Sequence, residues 1–182
     1  ECLAVLCLDL DQFKSVNDAL GHHIGDELLK LVGERLRRCT RELDIVARMG
    51  GDEFAIIMTQ MEQAADAATL SKRIRDSVIK PYQVEGHQIV TDISIGISVA
   101  PMDAVESDEL LRNADMALYD AKADGRGTFR FFEPEMNTRM KVRRELEMDL
   151  RKALASEQFE LYYQPLVVLE TCLLYTSDAA DD

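Results

Sequence analysis

Basic residues are scarce in this chain. Its 182 residues carry 21 Lys and Arg against 34 Asp and Glu, a formal net charge of −13. General nucleic-acid binding needs a basic footprint, so that class is excluded. A nucleotide held through a metal and a few local cations stays open, because an acidic surface is mostly a statement about solubility. Long apolar runs are also missing. No segment reaches the roughly 18 consecutive apolar residues of a membrane span, and no basic region opens the chain as in a secretory leader. Cysteine is sparse: Cys2, Cys7, Cys39 and Cys172 have no close paired spacing. Neither a zinc site nor a disulfide framework is indicated, and a reducing cytoplasm suits them. What is present is a hydrophobic fraction of 47%, enough for a real core, in a length that suits one domain plus a remainder.

The chain is organised around Met49-Gly50-Gly51-Asp52-Glu53-Phe54. Apolar runs flank it, Ile45 to Ala47 before and Phe54 to Met58 after, and read as two strands joined by a tight turn. Paired glycines tolerate positive φ and let a ligand approach the backbone. Two acids after them bring negative charge to the tip, within reach of a bound cation. Gly-Gly-Asp is also an ordinary hairpin turn, and Glu53 an ordinary solvated acid.

Upstream, Cys2 to Leu8 is continuously apolar, as a central strand covered on both faces should be. It runs into Asp9-Leu10-Asp11, and alternation puts the two carboxylates on one face if the strand continues. Asp11 also suits a helix N-cap. Asp9 has no such role, and a carboxylate there is costly unless paired or metal-bound. Asn17 to Asp26 reads as a polar, glycine-punctuated loop. A helix follows with Leu28, Leu29, Val32 and Leu36 on one stripe. Arg35, Arg37, Arg38 and Arg41 crowd its C-terminal half, where cations complement the macrodipole. His22 and His23 read as loop and packing residues.

Beyond the hairpin, an alanine-rich helix is expected from about Glu62 to Ile79, stopped by Pro81. Tyr82 to Val84 and Gln88 to Val90 flank Glu85-Gly86-His87 as a second hairpin. Ile93 to Val99 reads as a strand with one small-residue face. Ser107 is expected to cap a helix with Leu110, Leu111, Ala114, Leu118 and Ala121 as its core stripe, ending at Gly125. Phe129 to Phe132 closes as a short strand. From Asn137 to Ala155 the chain is charged and helical, with Leu146, Leu150 and Leu154 on one stripe. Phe159 to Leu166 resembles the first strand of something new.

In order and spacing, Asp9-Leu10-Asp11-Gln12-Phe13-Lys14, Asn17-Asp18, Gly21-His22, Gly25-Asp26, Gly50-Gly51-Asp52-Glu53-Phe54, Ser94-Ile95-Gly96 and Ala117-Leu118-Tyr119-Asp120-Ala121-Lys122 together resemble a GGDEF domain, the diguanylate cyclase family. Leu146-Glu147, Asp149-Leu150-Arg151 and Tyr162-Tyr163-Gln164-Pro165 resemble the opening of an EAL domain, the cyclic-di-GMP phosphodiesterase family. The resemblance implies an α/β fold with a mixed, largely antiparallel central sheet flanked by helices, like nucleotidyl cyclase catalytic domains. It implies condensation of two GTP to cyclic di-GMP with release of pyrophosphate, across a homodimer in which each domain brings one GTP. Mg²⁺ (or Mn²⁺) is the implied cofactor, held by Asp9, the Leu10 carbonyl and Asp52, a donor set that suits magnesium.

By the same resemblance Asp52 or Glu53 assists deprotonation of the attacking hydroxyl, and Gly50 and Gly51 line the substrate. Asp26 accepts both donors of the guanine edge, and Asn17 makes another base contact. Lys14, Lys122 and Arg126 are the implied phosphate cations. Arg41-Glu42-Leu43-Asp44 matches the family's RxxD inhibitory motif, where Arg41 and Asp44 bind cyclic di-GMP as product and inhibitor; one of Arg73 or Arg75 is expected to add a second cation. A GTP-binding module that regulates an adjoining EAL domain without turnover is the competing reading.

Three departures stand out. Gly127 occupies a place where the family often has Asn. The chain starts inside the first strand, without the family's preceding helix. The EAL match stops after about Leu169, before that family's catalytic acids. The expected organisation is a GGDEF domain over residues 1–133, a linker helix and first EAL strand over 134–169, and an unassigned tail over 170–182 that resembles translated non-coding or adaptor sequence. It reads as a fragment of a longer GGDEF–EAL protein, cytoplasmic, with any membrane anchor outside this stretch.

Overall fold

The computed structural model describes residues 2–162. Its centre is the apolar strand β1 (Leu3–Leu10), followed by helices α1 (Phe13–Leu20) and α2 (His22–Cys39). The hairpin β2 (Ile45–Gly50) and β3 (Glu53–Met58) comes next, then α3 (Ala64–Val78). A small hairpin, β4 (Tyr82–Val84) and β5 (His87–Ile89), precedes β6 (Ile93–Ala100), α4 (Ser107–Ala123), β7 (Phe129–Phe131) and α5 (Pro134–Ala155). The main sheet has the order β2-β3-β1-β6-β7, with β4 and β5 forming a separate pair. Its first four strands are antiparallel neighbours and only β7 pairs parallel, on β6. The expected mixed, largely antiparallel α/β architecture is therefore the one observed.

Alternation along β1 divides the core. Ala4, Leu6, Leu8 and Leu10 point into one cluster with Leu28, Val32 and Leu36 of α2 and Leu70 and Ile74 of α3. Val5 and Cys7 face the other way, onto Leu110, Ala114 and Leu118 of α4. Strand β6 repeats the division, with Ile93, Ile95, Ile97 and Val99 in the first cluster. Its small face lets α4 descend onto the sheet: a Cβ at Gly96 would collide with the Ala114 carbonyl and the Leu118 amide. Burying each large aliphatic side chain contributes about 1.5–3 kcal/mol. Truncating a fully buried one such as Ile97 is expected to cost about 2–5 kcal/mol.

Several local expectations are corrected. The stretch from Asn17 to Asp26 is not a loop: Asn17 and Asp18 lie inside α1, and α2 begins at His22, with Gly21 (φ 89°) as the only break. Packing of α1 on α2 overrides the turn-forming composition. A Cβ at Gly25 would overlap the Asn17 side chain, so the glycine serves close helix contact. Asp11 is not an N-cap; Gln12 holds that position, in the left-handed region (φ 60°). Glu106, not Ser107, precedes the first turn of α4. The second hairpin turns on two residues, Glu85 (φ 47°) and Gly86 (φ 86°), with His87 already in β5. Arg41 lies past the end of α2, whose last turn carries Arg37 and Arg38.

The chain divides into two compact units, Glu1–Lys141 and Val142–Asp182. In the first, Met136 packs on Ala117 and Phe132, and Arg139 pairs with Asp120 and Glu133, both at 3.4 Å. In the second, helix α5 continues to Ala155 with Leu146, Leu150 and Leu154 exposed. Phe159 to Tyr162 form no strand, and the remainder of that expected strand, Tyr163 to Leu166, lies outside the described residues. Cys2, Cys7 and Cys39 are free thiols, and Cys172 lies outside the described residues. Among the described residues no helix is long and apolar enough to cross a membrane.

Candidate active site

Three chain segments meet at one end of the sheet. The apolar register of β1 carries Asp9 to its C-terminal end, on the face that Val5 and Cys7 turn toward α4. The last turn of α4 answers with Lys122, whose Nζ lies 2.7 Å from Asp9 Oδ2. Two residues on, Asp11 meets Arg126 just beyond α4, with Nε at 3.9 Å. A period of two on the strand is thus matched to a spacing of four at the helix end, and two acid–cation pairs stand side by side.

The β2–β3 turn forms the third wall. Gly51 has φ 51°, and the Arg48 guanidinium holds its carbonyl at 3.0 Å. The Asp52 carbonyl accepts the Leu10 amide at 3.3 Å, which ties the turn to the end of β1. Glu53 is paired directly opposite Asp9 in the β1–β3 register and so shares its face. Burial raises the proton affinity of the Asp9 carboxyl. Lys122 opposes that rise, while the charges of Asp52 and Asp11 add to it. Lys122 therefore offsets only part of the cost of keeping Asp9 ionised at 8% exposure.

This donor set fits a magnesium ion. Two hard carboxylates, Asp9 and Asp52, converge on a strand end with the Leu10 main chain between them, and their mutual repulsion is the kind a dication relieves. Among the described residues no group of three or more His, Cys, Asp or Glu side chains is disposed to hold a metal. Cys7, on the same face, has its thiol pushed far up by burial and by Asp115, which keeps it in the neutral form.

The other sequence-derived residues fall at two further places. Asn17 and the exposed Asp26 lie on the α1–α2 pair, where the Asn17 Oδ1 is buried without a partner. Lys14 is exposed in the first turn of α1. Arg41 and Asp44 stand at the opposite end of β2 from Gly50, a strand of six residues. Asp44 closes its own turn, accepting the Arg41 amide at 2.8 Å and the Thr59 amide at 3.2 Å. Arg75 is committed elsewhere, to Asp92 through Nε at 3.0 Å and Nη2 at 2.9 Å. Arg73 donates to the Cys39 carbonyl at the end of α2.

Sequence reasoning missed the surroundings of Asp11. Its carboxylate accepts Ser94 Oγ at 2.8 and 3.1 Å and the Gly127 amide at 3.0 Å. Asp92 belongs to the same group, its carbonyl accepting the Asp11 amide at 3.0 Å. The pairing of Asp11 with residues about 80 and 116 positions away leaves no local signal.

The sheet order β2-β3-β1-β6-β7, with acids at the end of β1 and cations at the end of α4, defines a mixed α/β domain. The family described as "Diguanylate cyclase, GGDEF domain" matches residues 1–128, and the chain belongs to that family. It is 46% identical over 165 residues to the bifunctional diguanylate cyclase/cyclic di-GMP phosphodiesterase MucR of Pseudomonas aeruginosa, covering 91% of this chain and 24% of MucR. Cyclic di-GMP phosphodiesterase NbdA of the same organism is 42% identical, covering 92% of this chain and 21% of NbdA. The chain thus spans about a quarter or less of these relatives' length. Among solved structures, a GGDEF-only form of TpbB from P. aeruginosa superposes with TM-score 0.76 at 40% identity, covering 78% of this chain and 83% of that one. The GGDEF domain of DgcB from Caulobacter crescentus, solved in complex with c-di-GMP, gives TM-score 0.65 at 29% identity, covering 71% and 77%.

Proposed function

We propose that this chain is the catalytic GGDEF domain of a diguanylate cyclase, which joins two GTP into cyclic di-GMP. In each step a ribose 3′-OH attacks an α-phosphorus, the new phosphodiester forms, and pyrophosphate leaves with its bonding electrons. The observation that carries the reading is the buried Asp9 carboxylate, which faces Asp52 across the strand ends and Lys122 from α4.

In this reading Asp9, the Leu10 carbonyl and Asp52 hold Mg²⁺ (Mn²⁺ offers the same coordination). A bound metal neutralises charge on the transferring phosphoryl group and lowers the pKa of the attacking hydroxyl. Asp52 or Glu53 accepts the hydroxyl proton at the turn tip. Lys14, Lys122 and Arg126 bind the triphosphate, with Lys122 and Arg126 poised on Asp9 and Asp11. Gly50 and Gly51 let the nucleotide approach the turn backbone. Asp26 accepts guanine donors and Asn17, with its buried unpartnered oxygen, takes a further base contact. One domain cannot hold both substrates in line, so two copies face each other as a homodimer.

Arg41 and Asp44 form the product site, where cyclic di-GMP inhibits; the complex of the DgcB domain with c-di-GMP supports binding of that ligand by this kind of domain. The helix beyond residue 134 and the Tyr162-Tyr163-Gln164-Pro165 motif lead into an EAL domain, in keeping with MucR and NbdA. The protein works in the cytoplasm. The sequence over 170–182 resembles adaptor-derived residues and is assigned to neither domain.

The phosphodiesterase name of NbdA favours a second reading, in which the domain binds GTP and regulates an attached EAL domain without turnover. Incubation of the full-length parent with GTP and Mg²⁺, followed by chromatographic product analysis, separates the two. Cyclic di-GMP and pyrophosphate in a 1:2 ratio support the cyclase. GTP binding without product, in a folded dimer, supports the regulatory module.

A further inference from the structure

Asp11 is buried at 7% exposure, and every one of its polar groups is engaged. Its amide donates to the Asp92 carbonyl at 3.0 Å and its carbonyl accepts Thr91 Oγ1 at 3.0 Å. Its two carboxylate oxygens accept Ser94 Oγ and the Gly127 amide. This is a fixed point, built from β1, β6 and the segment that leaves α4.

That segment has an unusual backbone. Gly125, Arg126 and Gly127 have φ of 108°, 65° and 55° in succession. Gly125 ends α4 with a Schellman bond, the Arg126 amide reaching the Ala121 carbonyl at 3.2 Å. Gly125 and Gly127 adopt this conformation freely, but Arg126 does so against the preference of an L-residue. Two bonds hold it there, the Schellman bond of its own amide on one side and the Gly127 amide on Asp11 on the other. Gly127 also has no room for a side chain: a Cβ would run into the Asp92 carboxylate, which Arg75 clamps. An asparagine, frequent at this place in the family, does not fit here without moving that pair.

We propose that Asp11 is a positioning residue for the triphosphate, acting through Arg126: it anchors the Gly125–Gly127 loop through the Gly127 amide and stands 3.9 Å from the Arg126 Nε, and so fixes where that guanidinium stands. The inference rests on the reading of Arg126 as a phosphate cation. Both carboxylate oxygens of Asp11 are taken by protein donors, so its effect runs through Arg126.

The test measures affinity of the full chain for GTP and for GMP, in Mg²⁺, across the wild type, Asp11→Asn, Arg126→Ala and the double variant. Asp11→Asn keeps the shape and one acceptor but loses the charge that holds the loop. It is expected to weaken GTP roughly ten-fold while leaving GMP unchanged, and to add almost nothing once Arg126 is alanine. Equal weakening of GTP and GMP, no weakening of either, or a full additive loss in the Arg126→Ala background would overturn the positioning role. Unchanged GTP affinity in Arg126→Ala alone would instead remove the phosphate reading beneath it. If Asp11→Asn does not fold, Ser94→Ala, which removes one donor to both Asp11 oxygens, is read by the same criteria.

Discussion

Lys122 Nζ lies 2.7 Å from Asp9 Oδ2, and this ion pair joins the end of the central strand to the end of α4. It does not fully compensate the burial of Asp9, whose folded carboxyl titrates above the ordinary aspartate range. A raised carboxyl pKa means that the native state binds the proton more tightly than the unfolded chain. Its favourable contribution is complete below the unfolded value and is lost as pH rises through the folded one. At neutral pH, in the absence of divalent metal, Asp9→Asn is therefore expected to raise the melting temperature. The gain should shrink toward zero as pH falls below the ordinary aspartate range. Thermal melts of both proteins in EDTA, from pH 3 to 8, check this, and a melting point lowered by Asp9→Asn at neutral pH would refute it.

Asp52 sits on a turn whose fold depends on its main chain, through the Leu10 amide, rather than on its carboxylate. Asp52→Ala should leave stability within about 0.5 kcal/mol. Synthesis of cyclic di-GMP should fall by more than the roughly 10–100-fold seen for loss of a group that merely supports a metal ligand. Circular dichroism together with product analysis reads both. Substantial synthesis by the folded variant would sink the metal assignment.

Asp26 is exposed on α2, so its removal tests recognition without disturbing packing. On the proposed role of Asp26 as acceptor of the guanine edge, Asp26→Ala should cost about 1–3 kcal/mol of GTP affinity. Competition against ATP is the measurement. Unaltered preference for GTP would show that the base is read elsewhere.

Arg41 and Asp44 are expected to separate in their effect on folding. Asp44 holds the Arg41 and Thr59 amides, so Asp44→Ala should cost about 1 kcal/mol of stability or somewhat more. Arg41 is exposed beyond the helix, and Arg41→Ala should be nearly silent in a denaturant titration. Both should weaken cyclic di-GMP binding and relieve inhibition without lowering the uninhibited rate, because they stand at the end of β2 (Ile45–Gly50) opposite the Gly50 turn. Calorimetric titration of cyclic di-GMP into wild type and Arg41→Ala decides it; equal affinities would retire the inhibitory site.

Arg35 does more than complement the α2 macrodipole. Its guanidinium caps α3, donating to the carbonyls of Ser77, Val78, Lys80 and Pro81, and lies 3.5 Å over the Tyr82 ring. Arg35→Ala strands several of those carbonyls and removes a cation–π contact, an expected loss of about 2–4 kcal/mol. Arg35→Lys should recover only a small part, since an ammonium lacks the planar fork. A denaturant midpoint for Arg35→Lys equal to that of the wild type would count against this account.

Much of the frame was legible along the chain. Continuous apolarity placed β1 at the centre, alternation divided β6 into an aliphatic and a small-residue face, and the Gly50-Gly51 turn marked the β2–β3 hairpin. The ordered motifs from Asp9 to Lys122 pointed to the GGDEF family that the whole-domain match establishes. Asn17 to Asp26 misled, because turn-prone residues there are overruled by helix–helix packing, with Gly25 under Asn17. The N-cap assignment of Asp11 failed for a related reason: its partners come from β6 and from beyond α4.

Local sequence determined what short-range physics governs: the strand and helix periods, the tight glycine turn, and which carboxylates stand at a strand end without a local reason to be there. Tertiary structure alone decided which charges meet. Lys122 on Asp9 and Arg126 beside Asp11 follow from where α4 lands on β6, which Gly96 sets by offering no side chain. Electrostatic pairing depends on distance in space, and the distance between Asp11 and Gly127, 116 positions apart, is fixed only when the chain between them has packed.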